Sequence, residues 1–165
     1  MRNLFLVAVV IGLIWSCTPN DSSKENVALI QNYIKAVENL DYDAMDEILD
    51  DNYLGIGPSR NDSVYKDQAI SNWKNNVEHL YEKISYTKSK NIAVKTSEGE
   101  WVSTWADLSI VYKKDKKEIR ILTNTIYQIE KGKIVKSLTF YNEADVWEQL
   151  GYRLFPPLED PESEQ

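Results

Sequence analysis

The sequence predicts an α+β domain in which three helices come first and a meander of long strands follows. Two observations support this prediction. Between residues 25 and 80, apolar residues recur at intervals of three and four, the spacing of an amphipathic helix. After Tyr81 the apolar period becomes two, the period of a strand with one buried face. No internal repeat interrupts this pattern, so we expect one domain over residues 25–152.

The helical region divides into three predicted helices. The first runs from Glu25 to about Asn39, and the third starts near Lys66. Asp41 or Asp43 is expected to cap the short second helix, because an aspartate accepts hydrogen bonds from free N–H groups of a first turn. The predicted buried stripes contain Val27, Ile30, Tyr33, Ile34 and Val37 in the first helix, Met45, Ile48 and Leu49 in the second, and Ile70, Trp73, Val77 and Leu80 in the third.

Five strands and a last helix are predicted around these helices. A brief strand over residues 53–58 precedes the third helix and ends at its glycine and proline. Long strands are expected over residues 83–96, 101–112, 118–129 and 134–141, joined by polar turns. The last helix, over residues 144–150, should end at a glycine that readily adopts the left-handed conformation.

The first 24 residues are typical of an exported protein. Residues 1–16 combine a basic start, a short apolar run and a small residue before Cys17, the only cysteine. The letters IWSC at 14–17 resemble the lipobox of bacterial lipoproteins. This resemblance implies that residues 1–16 are removed and that Cys17 is acylated. The polar composition of residues 18–24 predicts that residues 17–24 form the lipidated cysteine and a short tether. An ordinary signal peptide and an uncleaved anchor are the alternatives.

The net charge of the chain limits the classes of partner that it can bind. A formal net charge of −7 argues against nucleic acid and against electrostatic attachment to anionic lipid. We therefore expect membrane contact only through acyl chains on Cys17, with the domain on the non-cytoplasmic side of a bacterial envelope membrane. A chain with one cysteine forms no internal disulfide, so its core must hold the fold. Residues 153–165 are expected to form an acidic, proline-rich tail.

Two stretches resemble a known superfamily. YIKAVENLDYDAMDEILDDNYLGIGP, residues 33–58, is similar to the first two helices and first strand of the nuclear transport factor 2-like superfamily. YQIEKGKIVKSLTFYNEADVWEQLG, residues 127–151, is similar to its final hairpin and closing helix. Within the superfamily the chain resembles the SnoaL-like group. This implies a cone-shaped fold, three N-terminal helices packed on a curved antiparallel sheet, with a pocket between them.

The ketosteroid isomerases of this superfamily provide a test for catalysis. The resemblance implies that their oxyanion-binding tyrosine is Tyr33, that their general base falls at Gly57, and that their second oxyanion acid falls at or next to Thr125. The aspartate of the polyketide cyclases falls at Asn142. Glycine and asparagine cannot titrate, so Tyr33 is the only catalytic candidate and we expect ligand binding without catalysis. An isomerase, dehydratase or cyclase using Tyr33 and an unidentified acid is the alternative.

Other polar residues are expected to be structural. Strand alternation sends Asp107 to the outer face of the sheet, although a one-residue bulge would reverse this. His79 has no second histidine with which to share a metal ion, so neither a metal site nor a cofactor is predicted. The lysines of residues 113–117 are expected at a solvated hairpin tip.

Alternation also predicts the two faces of the sheet. Its inner face would give a pocket of apolar walls and hydroxyl groups, suited to a neutral or weakly polar small molecule. A filled cone is the alternative. The outer face is apolar, so we expect a homodimer through it or, alternatively, a protein-interaction module. The predicted pocket residues are Tyr33, Val37, Trp73, Leu108, Ile110, Thr123, Thr125, Tyr127, Ser137, Thr139 and Tyr141, and those of the outer face are Trp105, Leu122, Ile126, Leu138 and Phe140.

Overall fold

A computed structural model describes residues 22–153 and Phe155. The predicted leader, Cys17 and the tail beyond Phe155 lie outside the described residues. The elements in chain order are α1 (Ser23–Asn39), α2 (Tyr42–Ile48), β1 (Leu49–Ile56), β2 (Ser63–Tyr65), α3 (Lys66–His79), β3 (Tyr81–Thr96), β4 (Gly99–Tyr112), β5 (Glu118–Glu130), β6 (Lys133–Tyr141) and α4 (Glu143–Leu150). All six strands form one sheet in the order β2-β1-β6-β5-β4-β3.

The predicted α+β class is confirmed, but two details of the predicted architecture are wrong. The three predicted helices do not all precede the sheet, since β1 and β2 separate α2 from α3. A fourth helix, α4, packs on β5. The sheet is mixed, because β1 pairs parallel with β6, where Gly55 lies opposite Ser137. The other strand pairs are antiparallel. Local apolar periodicity carries no information on strand direction, which depends on the tertiary path of the chain.

The start of α1 lies inside the stretch predicted as tether. The helix begins at Ser23, two residues earlier than expected. Glu100 of β4 accepts hydrogen bonds from Ser22 Oγ at 2.5 Å and from Asn26 Nδ2 at 2.7 Å. These contacts join residues more than 70 positions apart, so the helical period alone could not reveal them.

Three further local predictions are decided by the structure. Asp41, rather than Asp43, caps α2 and accepts a hydrogen bond from Ala44 N at 3.0 Å. Leu49 was predicted on the second helix, but it is the fully buried first residue of β1. Leu80 was predicted on the buried stripe of α3, but it is 47% exposed because the helix has already ended.

A bulge bends β3 around the helices. Its register against β4 shifts between Thr87 and Lys90, and Lys88 adopts a left-handed φ of 53°. Tyr86 before the bulge and Ala93 after it both pack against the core. The bulge therefore reverses the odd-even alternation, and one long strand keeps its inner face toward α1 in both halves.

The core lies where α1, α2 and β1 meet the inner face of the sheet. Its fully buried side chains include Ile30, Met45, Leu49, Val102 and Ile134. Several members of this core also line the cavity described below, namely Tyr33, Ile34, Val37, Tyr53, Ala69 and Tyr127. The floor of the cavity is thus a rigid, packed surface.

The outer face of the sheet is apolar and partly exposed. Trp105, Leu122 and Phe140 are 45%, 77% and 49% exposed, and Ile126 and Leu138 are half-buried. None of the five residues predicted for this face lines the cavity. Dimerisation through it stays a prediction.

Within the described part of the chain, no helix has the length and apolar character needed to cross a membrane.

Candidate functional site

A cavity of about 630 Å³ opens between the inner face of the sheet and the helices α1, α3 and α4. This volume lies within the range of small-molecule sites, and the alternative of a filled cone is wrong. The structure places all eleven residues predicted for the pocket along its wall, namely Tyr33, Val37, Trp73, Leu108, Ile110, Thr123, Thr125, Tyr127, Ser137, Thr139 and Tyr141. Their role in binding a ligand stays a prediction.

Tyrosine dominates the wall, with seven of the ten tyrosines of the chain. Sequence reasoning missed Tyr53, Tyr81, Tyr86 and Tyr112. The position of Tyr112 could have been found by continuing the strand alternation two residues beyond Ile110. The positions of Tyr53, Tyr81 and Tyr86 depend on the bulge in β3, on the turn between α3 and β3 and on the direction of β1. The apolar period of the sequence contains no information on these features.

Tyr33 has a buried ring and an unpaired hydroxyl. The residue is 7% exposed, and its ring lies edge-on to that of Tyr127 with centroids 6.1 Å apart. Among the described residues, its hydroxyl has no hydrogen-bond partner, yet no fully enclosed side-chain oxygen or nitrogen there lacks one. The Tyr33 hydroxyl must therefore open onto the cavity. Burial raises the pKa of Tyr33 well above its usual value, so the hydroxyl stays protonated and can donate.

Four other hydroxyl groups of the wall are paired within the protein. Tyr53 Oη and Ser137 Oγ lie 2.6 Å apart, and Thr125 Oγ1 and Thr139 Oγ1 lie 3.2 Å apart. Because these partners are already satisfied, a ligand would have to compete for them. The free Tyr33 hydroxyl is the stronger candidate for a ligand hydrogen bond.

Asp62 occupies the place of a side chain at Gly57. Gly57 N donates a hydrogen bond to Asp62 O at 2.8 Å, which closes the loop between β1 and β2. A Cβ atom added at Gly57 would lie 2.5 Å from Asp62 Cγ, so the Asp62 carboxylate fills that space on the cavity wall. Sequence reasoning missed Asp62, because the short strand β2 that returns it to Gly57 was not predicted.

Among the described residues, Asp62 and Glu143 are the only charged ones on the wall. Neither forms an ion pair with another described residue, although Glu143 Oε2 accepts a 3.4 Å hydrogen bond from Ser59 Oγ. Burial, followed by the charges of Glu143 and Asp62, raises the pKa of the Tyr141 hydroxyl on the same wall. The electrostatic potential in this part of the cavity is therefore negative.

The remaining candidates lie outside any reactive arrangement. Asn142 caps α4, where its side chain accepts a 3.3 Å hydrogen bond from Asp145 N. Asp107 does not line the cavity and forms a 2.7 Å ion pair with Lys88. His79 is exposed at the end of α3. No group of three or more metal-binding side chains occurs among the described residues.

Comparison with known proteins agrees with the resemblance in the sequence. A family model for the SnoaL-like domain matches residues 27–150. No curated protein sequence matches the chain.

Solved structures share the fold at low sequence identity. A proposed polyketide cyclase from Xanthomonas campestris is 14% identical with a TM-score of 0.66, covering 78% of this chain and 98% of its own. An epoxide hydrolase from M. tuberculosis is 11% identical with a TM-score of 0.62, covering 78% and 91%. A protein with a ketosteroid isomerase-like fold from Catenulispora acidiphila, in complex with trimethylamine, is 12% identical with a TM-score of 0.61, covering 78% and 97%. At these identities the likeness shows the nuclear transport factor 2-like fold alone.

Proposed function

We propose that this chain, which belongs to the SnoaL-like domain family, binds a small, weakly polar organic molecule in its cavity without catalysing a reaction. The observation that carries the proposal is the Tyr33 hydroxyl on the wall of a cavity of about 630 Å³, which is protonated and has no hydrogen-bond partner among the described residues. A polar group held in this way favours a ligand that accepts its hydrogen bond.

The rest of the wall suits the body of such a ligand. Leu108, Ile110 and Trp73 offer apolar surface, and burial of a ligand against it contributes about 25 cal/mol for each Å² removed from water. Tyr33 would then fix the orientation of the ligand with one hydrogen bond. The packed floor formed with Val37 and Tyr127 keeps this hydroxyl in place before a ligand arrives.

Binding without catalysis is favoured by the residues at two positions where the resemblance implies the carboxylates of enzymes. Gly57 and Asn142 stand at these positions, and neither side chain can move a proton. General-base catalysis needs a group whose pKa is matched to the reaction. Since one fold supports many activities, the enzyme names of structural neighbours do not carry over to this chain.

An enzymatic role is the second candidate, and the position of Asp62 favours it. Its carboxylate fills the space of a side chain at Gly57, where the resemblance implies a general base. An isomerase, dehydratase or cyclase would then use Tyr33 as the acid and Asp62 as the base. Deuterium exchange at the methyl group of acetophenone in heavy water, followed by NMR, tests this role. Exchange accelerated by the protein and abolished in both Tyr33→Phe and Asp62→Asn would favour the enzyme over the binding protein.

We also propose that the domain is anchored in the bacterial envelope by acyl chains on Cys17. The lipobox-like residues 14–17 support this, and the polar residues that follow would separate the membrane from α1. The cavity would then face the non-cytoplasmic side.

Native mass spectrometry of the gently purified protein tests the proposed binding. We expect a retained small molecule on the wild-type protein and on the Tyr65→Phe control, since Tyr65 is 69% exposed and does not line the cavity. Tyr33→Phe should retain less of it. Equal retention by both variants would contradict the role given to Tyr33.

A further inference from the structure

We infer that the cavity prefers organic cations, namely an amine or quaternary ammonium group on an apolar body, with Asp62 and Glu143 receiving the positive charge. This inference rests on the proposed function and specifies its ligand. It also explains the two charged groups of the wall, which the binding of a neutral molecule leaves without a role.

The charges of the wall have one sign. Asp62 and Glu143 line the cavity, whereas no lysine, arginine or histidine of residues 22–153 does. Neither carboxylate forms an ion pair within the described part of the chain. An anion would meet repulsion from both groups, whereas a cation would gain from both.

The loop between β1 and β2 carries Asp62 and contacts Glu143 at the start of α4. Gly57 N donates to Asp62 O at 2.8 Å, and Asp62 N donates to Ser59 O at 3.0 Å, so the backbone fixes where the Asp62 side chain starts. Ser59 Oγ donates to Glu143 Oε2 at 3.4 Å and thereby joins the loop to the start of α4. The absence of a side chain at Gly57 leaves room for the Asp62 carboxylate against the wall.

Aromatic rings line the same cavity as the two carboxylates. Burial, and after it the charges of Glu143 and Asp62, raises the pKa of the Tyr141 hydroxyl, so Tyr141 lies near both carboxylates. Tyr81, Tyr112 and Trp147 also line the cavity, and the rings of the first two meet edge to face with centroids 5.2 Å apart. The faces of such rings attract an ammonium group and tolerate an apolar body equally well.

A second, independent feature marks the cavity as a binding site. The ring of Tyr33 is more than nine-tenths buried, and its hydroxyl opens onto the cavity without a protein partner. This hydroxyl can donate to a carbonyl or hydroxyl oxygen of the ligand. The expected ligand therefore carries a positive charge and, elsewhere on its body, an oxygen that accepts a hydrogen bond.

Three probes of nearly equal size isolate the effect of charge. Benzylamine is a cation at pH 7, benzyl alcohol is neutral and benzoate is an anion. Their dissociation constants for the full-length protein can be measured by NMR titration. We expect benzylamine to bind roughly ten-fold more tightly than benzyl alcohol at low salt, because two partly solvated carboxylates and several rings act on it. Benzoate should bind most weakly.

Isosteric variants locate the charge. Asp62→Asn and Glu143→Gln should each weaken benzylamine binding about two- to five-fold and leave benzyl alcohol unchanged. Glu130→Gln is the matched control, since it removes the same charge from an exposed residue at the end of β5 that does not line the cavity. It should leave both constants unchanged. Melting temperatures of all variants show that the fold is retained.

The outcomes separate this inference from the proposed function. Equal binding of the three probes, or a preference for benzylamine that survives in the Asp62→Asn, Glu143→Gln double variant, would overturn the cation preference. If benzyl alcohol still binds and Tyr33→Phe weakens it, the proposed function stands. Absence of binding by all three probes at millimolar concentration would contradict both.

Discussion

The carboxylate of Asp62 lies against Gly57, in the space that any other residue at position 57 would fill. A Cβ atom there would approach Asp62 Cγ to 2.5 Å and its Oδ2 more closely still. Because glycine has no side chain, position 57 leaves room for the carboxylate of a residue five positions further along the chain.

Gly57→Ala is expected to displace the Asp62 carboxylate from the wall. The free energy of unfolding should change by less than about 1 kcal/mol, because Asp62 is exposed and its side chain can rotate away. The preference for benzylamine over benzyl alcohol should fall as it does in Asp62→Asn. NMR titration and urea denaturation measure the two effects.

Gly132→Ala is the matched control for this glycine. Gly132 adopts a φ of +75° and has no atom near its potential Cβ, so alanine there adds backbone strain without touching the cavity. The control should lose stability and keep the ligand preference. If Gly57→Ala retains the full preference for benzylamine, Asp62 does not act from this position.

The hydrogen bond between Tyr53 and Ser137 is expected to support the fold rather than the ligand. Tyr53→Phe removes one partner of a 2.6 Å bond and leaves the buried Ser137 hydroxyl unpaired. The free energy of unfolding should fall by about 1–3 kcal/mol. In a double-mutant cycle with Ser137→Ala, the double variant should lose less stability than the two single variants together. Strict additivity, measured by urea denaturation, would show that the bond contributes nothing.

The exposed outer face of the sheet predicts a homodimer. Leu122→Glu and Phe140→Glu should each convert a sedimenting dimer into a monomer, since a buried unpaired charge opposes packing of a second copy. Leu80→Glu alters an equally apolar residue that is 47% exposed outside the sheet, and it should sediment like the wild type. A wild-type protein that sediments as a monomer at high micromolar concentration would refute the dimer.

Membrane attachment through Cys17 has its own test. Cys17→Ser should abolish labelling by a radioactive fatty acid and release the protein from the membrane fraction, because acyl chains alone are expected to anchor it. Ser16→Ala is a control that keeps the cysteine. If Cys17→Ser stays in the membrane fraction without processing, residues 1–16 act as an uncleaved anchor.

Much of the fold could be predicted from apolar periodicity. The predictions are wrong where contacts between residues distant in sequence determine the structure. The bounds of β5 and β6 and the inward side chains Thr125 and Thr139 follow from a period of two. The earlier start of α1 depends on Glu100, which lies on β4 and is distant in sequence. The parallel pairing of β1 likewise depends on tertiary structure.

The candidate site was less predictable than the fold. Tyr33 could be proposed because a matching motif and helical spacing coincide there. Asp62 could not, since it reaches the cavity through a hairpin of which the second strand has only three residues. A strand of this length leaves almost no periodic signal. Where a glycine stands in place of a larger residue of a family pattern, as the resemblance implies for Gly57, a neighbouring side chain can fill the space.

The central claim is that the Tyr33 hydroxyl binds a ligand rather than the protein. Two measurements on Tyr33→Phe test this claim most directly, namely calorimetric titration with acetophenone and the melting temperature. The carbonyl oxygen of acetophenone can only accept a hydrogen bond. Binding should weaken by about 0.5–1.5 kcal/mol, the net contribution of one neutral hydrogen bond. The melting temperature should stay nearly constant, because no protein group loses a partner. Unchanged acetophenone binding together with a lowered melting temperature would show instead that Tyr33 is a core residue, and would contradict the account.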